Sequence, residues 1–291
     1  MARFYAPIRL GLTLITRVVN TDNNVPGTHL ASQPTKENVL SPIDYEKDGA
    51  VGIVTMAKPP HNLIDNAMLE ALMSAYETAV REGCRAILLR SGMRHFCAGA
   101  DLDLLSLEQP DAQALARLWK ALEDVPVPTV AAVHGAALGG GLELALTCDM
   151  IIAADTASFG MAEASLGLLP LLGGVQRVVQ RAGPARAKEL AMFGRRNDPR
   201  ALERWGVINL VAAESELLDV AMSWARQLAS GATVAFRGVK TLANLSARGG
   251  IDAADAQQVP MNDAMWASAD QKRGLAAFAA TGPGSAIFEG N

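Results

Sequence analysis

Cysteine and histidine are scarce in this 291-residue chain, and neither is grouped. Cys84, Cys97 and Cys148 form no CxxC pair, so the sequence predicts buried, reduced thiols and no disulfide framework. The four histidines show no metal-ligand spacing. We therefore expect a protein without a disulfide, a metal site or a separate cofactor.

An excess of basic residues is also missing. The chain has 26 Lys and Arg against 30 Asp and Glu, and its formal net charge is −4. These charges are dispersed along the sequence, so no basic face is available for a phosphate backbone. This composition argues against nucleic acid as a partner.

No run of residues is suited to span a membrane. Residues 125–142 carry no formal charge, but they contain two prolines, a histidine and four glycines. The apolar segment 10–16 has the length of a signal-peptide core, yet arginines flank it and no clean cleavage site follows. We expect a cytoplasmic protein that does not bind membranes.

What is present is an alternation of strand-like and helix-like segments, which is typical of an α/β fold. Residues 1–42 are predicted as a flexible or irregular extension, 43–205 as an α/β core and 206–291 as a mainly helical region. Asp65 is the predicted N-cap of the first core helix. The predicted strands are 50–57, 85–90, 128–134, 149–155 and 207–212, and the predicted core helices are 64–80, 102–124 and 140–147.

A run of three glycines stands out in "VHGAALGGGLELALTCD", residues 133–149. It lies between a predicted strand and a predicted helix, where main-chain N–H groups without helical partners can bind negative charge. A dinucleotide-binding fingerprint fails because Leu144 replaces its third glycine, and a Walker loop fails for lack of Gly-Lys-Ser/Thr. A serine-hydrolase elbow fails because "EASLG" begins with Glu163. The remaining interpretation is an oxyanion site, with a second N–H from the similar loop "FCAGADL", residues 96–102.

Two glutamates follow in positions that suit this site. Glu143 comes about one helical turn after the glycines, and Glu163 lies in the small-residue setting "FGMAEASLG". Taken singly, Glu143 is explained by the helix dipole and Glu163 by an exposed helix face. Beside both loops, the two carboxyls predict a coupled acid–base pair that shares a proton.

The segments "HFCAGADL", "VHGAALGGGLELALTCDMIIAA", "FGMAEASLGLLP" and "GGVQRV" together resemble the enoyl-CoA hydratase/isomerase (crotonase) superfamily. The resemblance runs from about residue 45 to the C-terminus. It implies a spiral of ββα units, C-terminal helices that mediate trimerisation, and trimers that often pair into hexamers. It also implies that Ala98 and Gly140 supply the oxyanion amides, and that a side chain at Gly139 to Gly141 would stand where the acyl thioester lies.

In that family, enzymes that hydrate enoyl-CoA carry glutamate at both matching positions, whereas double-bond isomerases often keep only the second. The resemblance therefore implies an enoyl-CoA hydratase, with Glu143 as base for the water and Glu163 as proton donor to C2. Coenzyme A enters as part of the substrate. The implied contacts to the substrate and its CoA are Ala57, Lys58, Ala98, Ala100, Asp101, Leu102 and Gly140.

Two departures from the family pattern keep alternatives open. Leu171 and Leu172 stand where many hydratases have smaller residues, and the C-terminal segment lacks the basic cluster that many relatives present to CoA. A Δ3,Δ2-enoyl-CoA isomerase, or another enzyme that stabilises the enolate of an acyl-CoA, is the first alternative. A crotonase-fold binding protein with an inactive site is the second.

Overall fold

Parallel strands form the centre of the computed structural model, which describes residues 41–101 and 112–291. The larger sheet has six strands in the order β1-β2-β3-β4-β6-β8, and the smaller sheet pairs β5 with β7. Among the strands of the described residues, only β1 is antiparallel to its neighbour. The strands are β1 Ile43–Asp48, β2 Val51–Met56, β3 Ala86–Ser91, β4 Thr129–Val133, β5 Ala136–Leu138, β6 Met150–Ala154, β7 Ser158–Gly160 and β8 Leu210–Ala212.

Helices surround the sheets and make up most of the last third of the chain. Short 3-10 helices lie at Glu163–Leu166 and Glu214–Glu216. The α-helices are α1 Asn66–Arg81, α2 Ala112–Glu123, α3 Gly140–Ala145, α4 Gly174–Phe193, α5 Pro199–Arg204, α6 Leu217–Ser230, α7 Thr233–Gly249, α8 Ile251–Ala267 and α9 Ala269–Thr281.

The central strands are apolar because helices cover both faces of a parallel sheet. Every residue of β4 is buried, and β2 and β3 each have only one residue that is not. Helix α1 packs on β1 and β2, while α6 packs across β3, β4 and β6. Asp65 caps α1 by accepting the Met68 amide at 2.8 Å, as the sequence predicted.

The predicted fold class, an α/β core followed by a mainly helical region, is confirmed. The predicted strands of the core correspond to β2, β3, β4 and β6, and the predicted segment 207–212 contains β8. Three strands were not predicted: β1, which is largely exposed and charged, and β5 and β7, which have three residues each. Their length and polarity leave no periodic signal.

The remaining sequence predictions concern the domain boundaries, one substrate contact, membrane-spanning helices and the cysteines. The division at residues 42 and 205 stays a prediction, and the expected contact Leu102 falls outside the described residues. Across residues 41–101 and 112–291, no helix is long and apolar enough to cross a membrane. All three cysteines are buried and form no disulfide, as predicted.

Candidate active site

A cleft of about 290 Å³ opens where the two glycine-containing loops meet. Isolated bridges pair Cys97 with Ala137 and Ala100 with Ile64, so the loop 97–101 is fixed beside the turn that follows β5. The 3-10 helix Glu163–Leu166 borders the same space. The residues that line the cleft are Ala98, Gly99, Ala100, Leu115, Leu138, Gly139, Gly140, Glu143, Ala162, Glu163, Ser165, Leu166, Leu168, Leu171 and Leu172.

The three glycines have three different reasons to lack a side chain. A Cβ on Gly139 would lie 2.7 Å from Glu163 Oε1, and a Cβ on Gly141 would lie 2.2 Å from the Cys97 carbonyl oxygen. Gly140 lines the cleft as well, and an added Cβ there would be in tight contact with Leu172 Cδ1 at 3.3 Å and Ile64 Cδ1 at 3.4 Å. The expectation that all three face the substrate is therefore corrected: Gly139 accommodates a carboxylate and Gly141 accommodates a neighbouring loop.

The first predicted oxyanion amide, that of Ala98, is already engaged. It donates to the His61 carbonyl oxygen at 3.0 Å, so this geometry does not support Ala98 as a donor to a ligand. The amide of Ala100 donates to no group among the described residues, and it lies 3.5 Å from the position of a Cβ on Gly140. The amides of Ala98 and Asp101 both donate to the segment 61–64, and Gly99, with φ of +130°, interrupts the regular alternation, so the Ala100 amide is not directed at that segment.

The second predicted amide, that of Gly140, lies at the start of a helix. Gly140 is the first residue of α3, and the amide of a first helical residue has no partner within its own helix. Gly139 precedes it with φ of +50°, a conformation that glycine adopts readily. Among the described residues, the amides of Ala100 and Gly140 are thus two unengaged donors at the place where the loops approach each other.

Glu143 is buried on α3 and held through one of its oxygens. Its Oε1 accepts the amides of Leu172 at 2.9 Å and Gly174 at 2.8 Å. Burial, reinforced by the nearby Glu163 carboxylate, raises the pKa of Glu143 to about 7, although these amides and the Arg177 guanidinium lower it. A carboxyl with this pKa exchanges protons readily near neutral pH.

Glu163 begins the 3-10 helix on the opposite side of the cleft and is half-buried. Its Oε2 is buried and has no hydrogen-bond partner among the described residues, and burial raises the pKa of this carboxyl. Such an atom is satisfied by a proton, by water or by a ligand group. The structure therefore brings the two predicted carboxyls into one cleft, each with a raised pKa.

The predicted CoA contacts are only partly gathered around this cleft. Ala57 and Lys58 follow β2, and the Lys58 ammonium donates to Asp65 at 2.7 Å and lies 3.6 Å from Asp101. Two carboxylates therefore already compensate the charge of Lys58, which the resemblance implied as a CoA contact. Ala98, Ala100 and Gly140 do line the cleft.

Sequence reasoning missed the groups that hold Glu143. Gly174 is required because a Cβ there would lie 2.7 Å from Glu143 Cγ, and its amide is one of the two donors. The only signal for this contact was the pair Gly173–Gly174 ahead of a helix, which by itself predicts a helix start.

The chain is similar to a family model, to two relatives and to one solved structure. The family model for enoyl-CoA hydratase/isomerase matches residues 46–286. A probable enoyl-CoA hydratase of Mycobacterium bovis is 36% identical over 250 residues, which cover 84% of this chain and 95% of the relative. A carnitinyl-CoA dehydratase of Proteus mirabilis is 43% identical over 161 residues, covering 54% of this chain and 62% of the relative. A crystal structure of enoyl-CoA hydratase subunit I from Geobacillus kaustophilus matches with a TM-score of 0.80 at 34% identity, covering 86% of this chain and 98% of that one.

Proposed function

The chain belongs to the enoyl-CoA hydratase/isomerase family, and on this premise we propose that it is an enoyl-CoA hydratase, which adds water across the 2,3 double bond of an enoyl-CoA thioester. The observation that carries the proposal is the meeting of two carboxyls and two unengaged amides in one cleft. Hydration needs a base for the water and an acid for C2. A pair of glutamates with raised pKa values supplies both.

In the proposed reaction, the thioester oxygen accepts hydrogen bonds from the amides of Ala100 and Gly140. Glu143 takes a proton from water while the water oxygen bonds to C3. The electron pair of the double bond moves toward the thioester, and the negative charge that develops on its oxygen is stabilised by the two amides. Glu163 then protonates C2. The product carries a hydroxyl at C3, and proton exchange with solvent restores the pair.

We base the proposed division of roles on the hydrogen bonds, although burial raises the pKa of Glu143 to about 7. Two amides stabilise the anion of Glu143, which suits a base, whereas Oε2 of Glu163 has no donor, which suits a protonated acid. Because the carboxyls are coupled, the active form is the pair that carries one proton. The rate is therefore expected to rise and then fall with pH.

The acyl group is proposed to be apolar. Six leucines line the described part of the cleft, and Ser165 is the only polar side chain there besides the two glutamates. The free-energy cost of burying an unpaired charge in such surroundings is on the order of several kcal/mol. A carnitinyl group, which is charged, fits this lining less well than a hydrocarbon chain does.

Purified protein offered a panel of 2-enoyl-CoA thioesters tests the proposal. We expect the absorbance of the conjugated thioester to fall for apolar acyl chains, with the 3-hydroxyacyl-CoA as product. A 3-enoyl-CoA in deuterated buffer identifies the first alternative, because an isomerase would convert it without hydration. Binding of CoA thioesters with no turnover of any member of the panel would refute the hydratase and favour the binding protein.

Replacing Gly139 with alanine is expected to lower both stability and hydration. The substitution forces a side chain into positive φ, at a cost of about 1 to 3 kcal/mol, and its Cβ collides with Glu163 Oε1. Because a displacement of about 1 Å can cost about 100-fold in rate, we expect kcat to fall at least about tenfold. Thermal unfolding and steady-state kinetics measure the two effects.

Gly49→Ala is the matched control for this substitution. Gly49 has φ of +57° in the turn between β1 and β2, and an added Cβ meets no atom within 4 Å. It should therefore lose similar stability and keep its kcat. Equal kcat losses in both variants would show that backbone strain alone, and not displacement of Glu163, explains the effect.

We also propose that the protein assembles as a homotrimer or as a pair of trimers. Large apolar side chains are exposed on the last three helices, among them Val239, Ile251, Val259, Trp266 and Leu275. Exposed apolar surface of this kind is characteristic of protein interfaces. Light scattering coupled to size-exclusion chromatography should give three or six times the chain mass of 30.6 kDa, and a monomer at micromolar concentration would contradict the proposal.

A further inference from the structure

The turn that holds Glu143 is bound from both sides. On one side, the amides of Leu172 and Gly174 donate to Glu143 Oε1. On the other side, Nη1 of Arg177 donates to the carbonyl oxygens of Leu172 and Gly173, both at 3.1 Å. The Gly173 carbonyl and the Gly174 amide belong to one peptide group. That peptide group therefore lies between a guanidinium and a carboxylate.

This arrangement strengthens both hydrogen bonds of the peptide group. A cation on its oxygen polarises the amide, and the polarised N–H binds the carboxylate more strongly. A bond to a charged group is also stronger than a neutral one and fixes geometry more firmly. The position of Glu143 thus depends on a residue that does not line the cleft.

The guanidinium is itself held by one acidic residue outside the cleft, Glu123. Nε of Arg177 donates to Glu123 Oε1 at 2.6 Å, and both side chains are about 15% exposed. The other carboxylate oxygen of Glu123 accepts Arg248 Nη2 at 2.7 Å. Glu123 ends α2 and Arg248 lies in the last turn of α7. A continuous chain of charged contacts therefore runs from α7 to the turn at Glu143.

We propose that Arg177 is the positioning residue for Glu143, acting through the peptide groups of residues 172–174, and that Glu123 fixes the orientation of Arg177. The proposal rests on the proposed function of Glu143 as a base. Arg177 does not line the cleft and has no direct contact with substrate in this assignment. Its loss should affect kcat far more than KM.

The same residue affects the ionisation of Glu143. The charged groups that act on this carboxyl are Glu163, across the cleft, and Arg177, on α4. The guanidinium lowers the pKa of Glu143 and thereby opposes burial and Glu163. Without Arg177 the pKa of Glu143 rises, so the base becomes ionised only at higher pH. The acidic limb of the kcat profile should move to higher pH.

Arg177→Met tests the proposal by kinetics and by spectroscopy. We expect kcat to fall at least about tenfold, with KM within about twofold and the acidic limb shifted upward. Infrared difference spectra of the free protein, with Glu143→Gln as the reference, follow the Glu143 carboxyl during a pH titration. They should show the same upward shift without any substrate.

Arg177→Lys and Glu123→Gln separate charge from geometry. Lysine keeps the positive charge, so the acidic limb of the kcat profile should stay in place. Because lysine lacks the planar guanidinium that binds the two carbonyls and Glu123 together, kcat should recover only partly. Glu123→Gln should lower kcat to a smaller extent, again with KM retained. If Arg177→Met does not fold, Arg177→Lys and Glu123→Gln still test the proposal.

Arg186→Met is the matched control, because it removes one positive charge further along α4, beyond the kink at Gly183, where Arg186 contacts Glu189 and Trp205. It should leave kcat and the pH profile unchanged. The proposal would be overturned if the infrared titration of Arg177→Met showed no shift and the Arg177 and Glu123 variants kept the wild-type kcat. Failure of the wild type to hydrate any thioester would instead refute the proposed function, and the infrared titration would still decide whether Arg177 acts on Glu143.

Discussion

Glu143→Gln is expected to lower kcat for enoyl-CoA hydration by about two to four orders of magnitude, the range that general acid–base catalysis supplies. Glutamine has nearly the same shape, and its Oε1 can still accept the amides of Leu172 and Gly174. It cannot take a proton from water. The loss should therefore fall on kcat, with the cleft and the binding of thioester retained.

Glu163→Gln should lower kcat by a similar factor, because a glutamine cannot protonate C2. Glu70→Gln is the matched control, since Glu70 is exposed on α1 and does not line the cleft. Steady-state hydration of one enoyl-CoA by all three variants gives the comparison. Wild-type kcat in either cleft variant would refute the role assigned to that carboxyl.

Glu143→Gln should also be more stable than the wild type at alkaline pH. The pKa of Glu143 is raised in the folded protein to about 7, so the folded state binds its proton more tightly than the unfolded chain does. The free energy of unfolding therefore falls as pH rises from the ordinary glutamate range through about 7. Glutamine removes this dependence, with a gain on the order of 1 to 3 kcal/mol at pH 8. Denaturant unfolding should show no such difference near pH 4.

Much of the fold was predictable because its central strands and first helix have strong local signals. Strands β2, β3, β4 and β6 are continuous apolar runs, and Asp65 precedes an amphipathic helix. These patterns follow from burial on both faces of a sheet and from the needs of a helix terminus. The short strands β5 and β7, by contrast, are defined by their pairing with each other, which no local pattern records.

The candidate site was predictable in its residue types and less so in its contacts. Glu143 was predicted from its position one helical turn after the glycines, Glu163 from its small-residue setting and Gly140 from the family resemblance, and the structure brings all three into one cleft. The choice between Ala98 and Ala100 depends on which amide the His61 carbonyl occupies, and that contact joins distant parts of the chain. Arg177 was missed for the same reason, since its partners are main-chain carbonyls and a residue of another helix.

Replacing the Ala100 amide with an ester is expected to lower kcat by about 100-fold to 1000-fold, the effect of losing one oxyanion donor. Incorporation of lactic acid at position 100 keeps the methyl group and replaces the N–H by an ester oxygen. The developing charge on the thioester oxygen then loses one of its two hydrogen bonds. KM should change little, because that bond strengthens mainly in the transition state.

Lactic acid at position 98 is the matched control and distinguishes the two candidate amides. Each ester also weakens the carbonyl of the preceding residue as an acceptor, and the two contacts are comparable. The ester at position 100 affects the Gly99 carbonyl, which accepts the Ile64 amide at 2.9 Å, and the ester at position 98 affects the Cys97 carbonyl, which accepts the Leu138 amide at 3.1 Å. The position 98 ester further loses the bond to His61, at a cost of about 1 kcal/mol in stability. We expect it to retain kcat within a few-fold. A large loss of kcat at position 98 together with wild-type kcat at position 100 would return the oxyanion role to Ala98 and refute the assignment made from the structure.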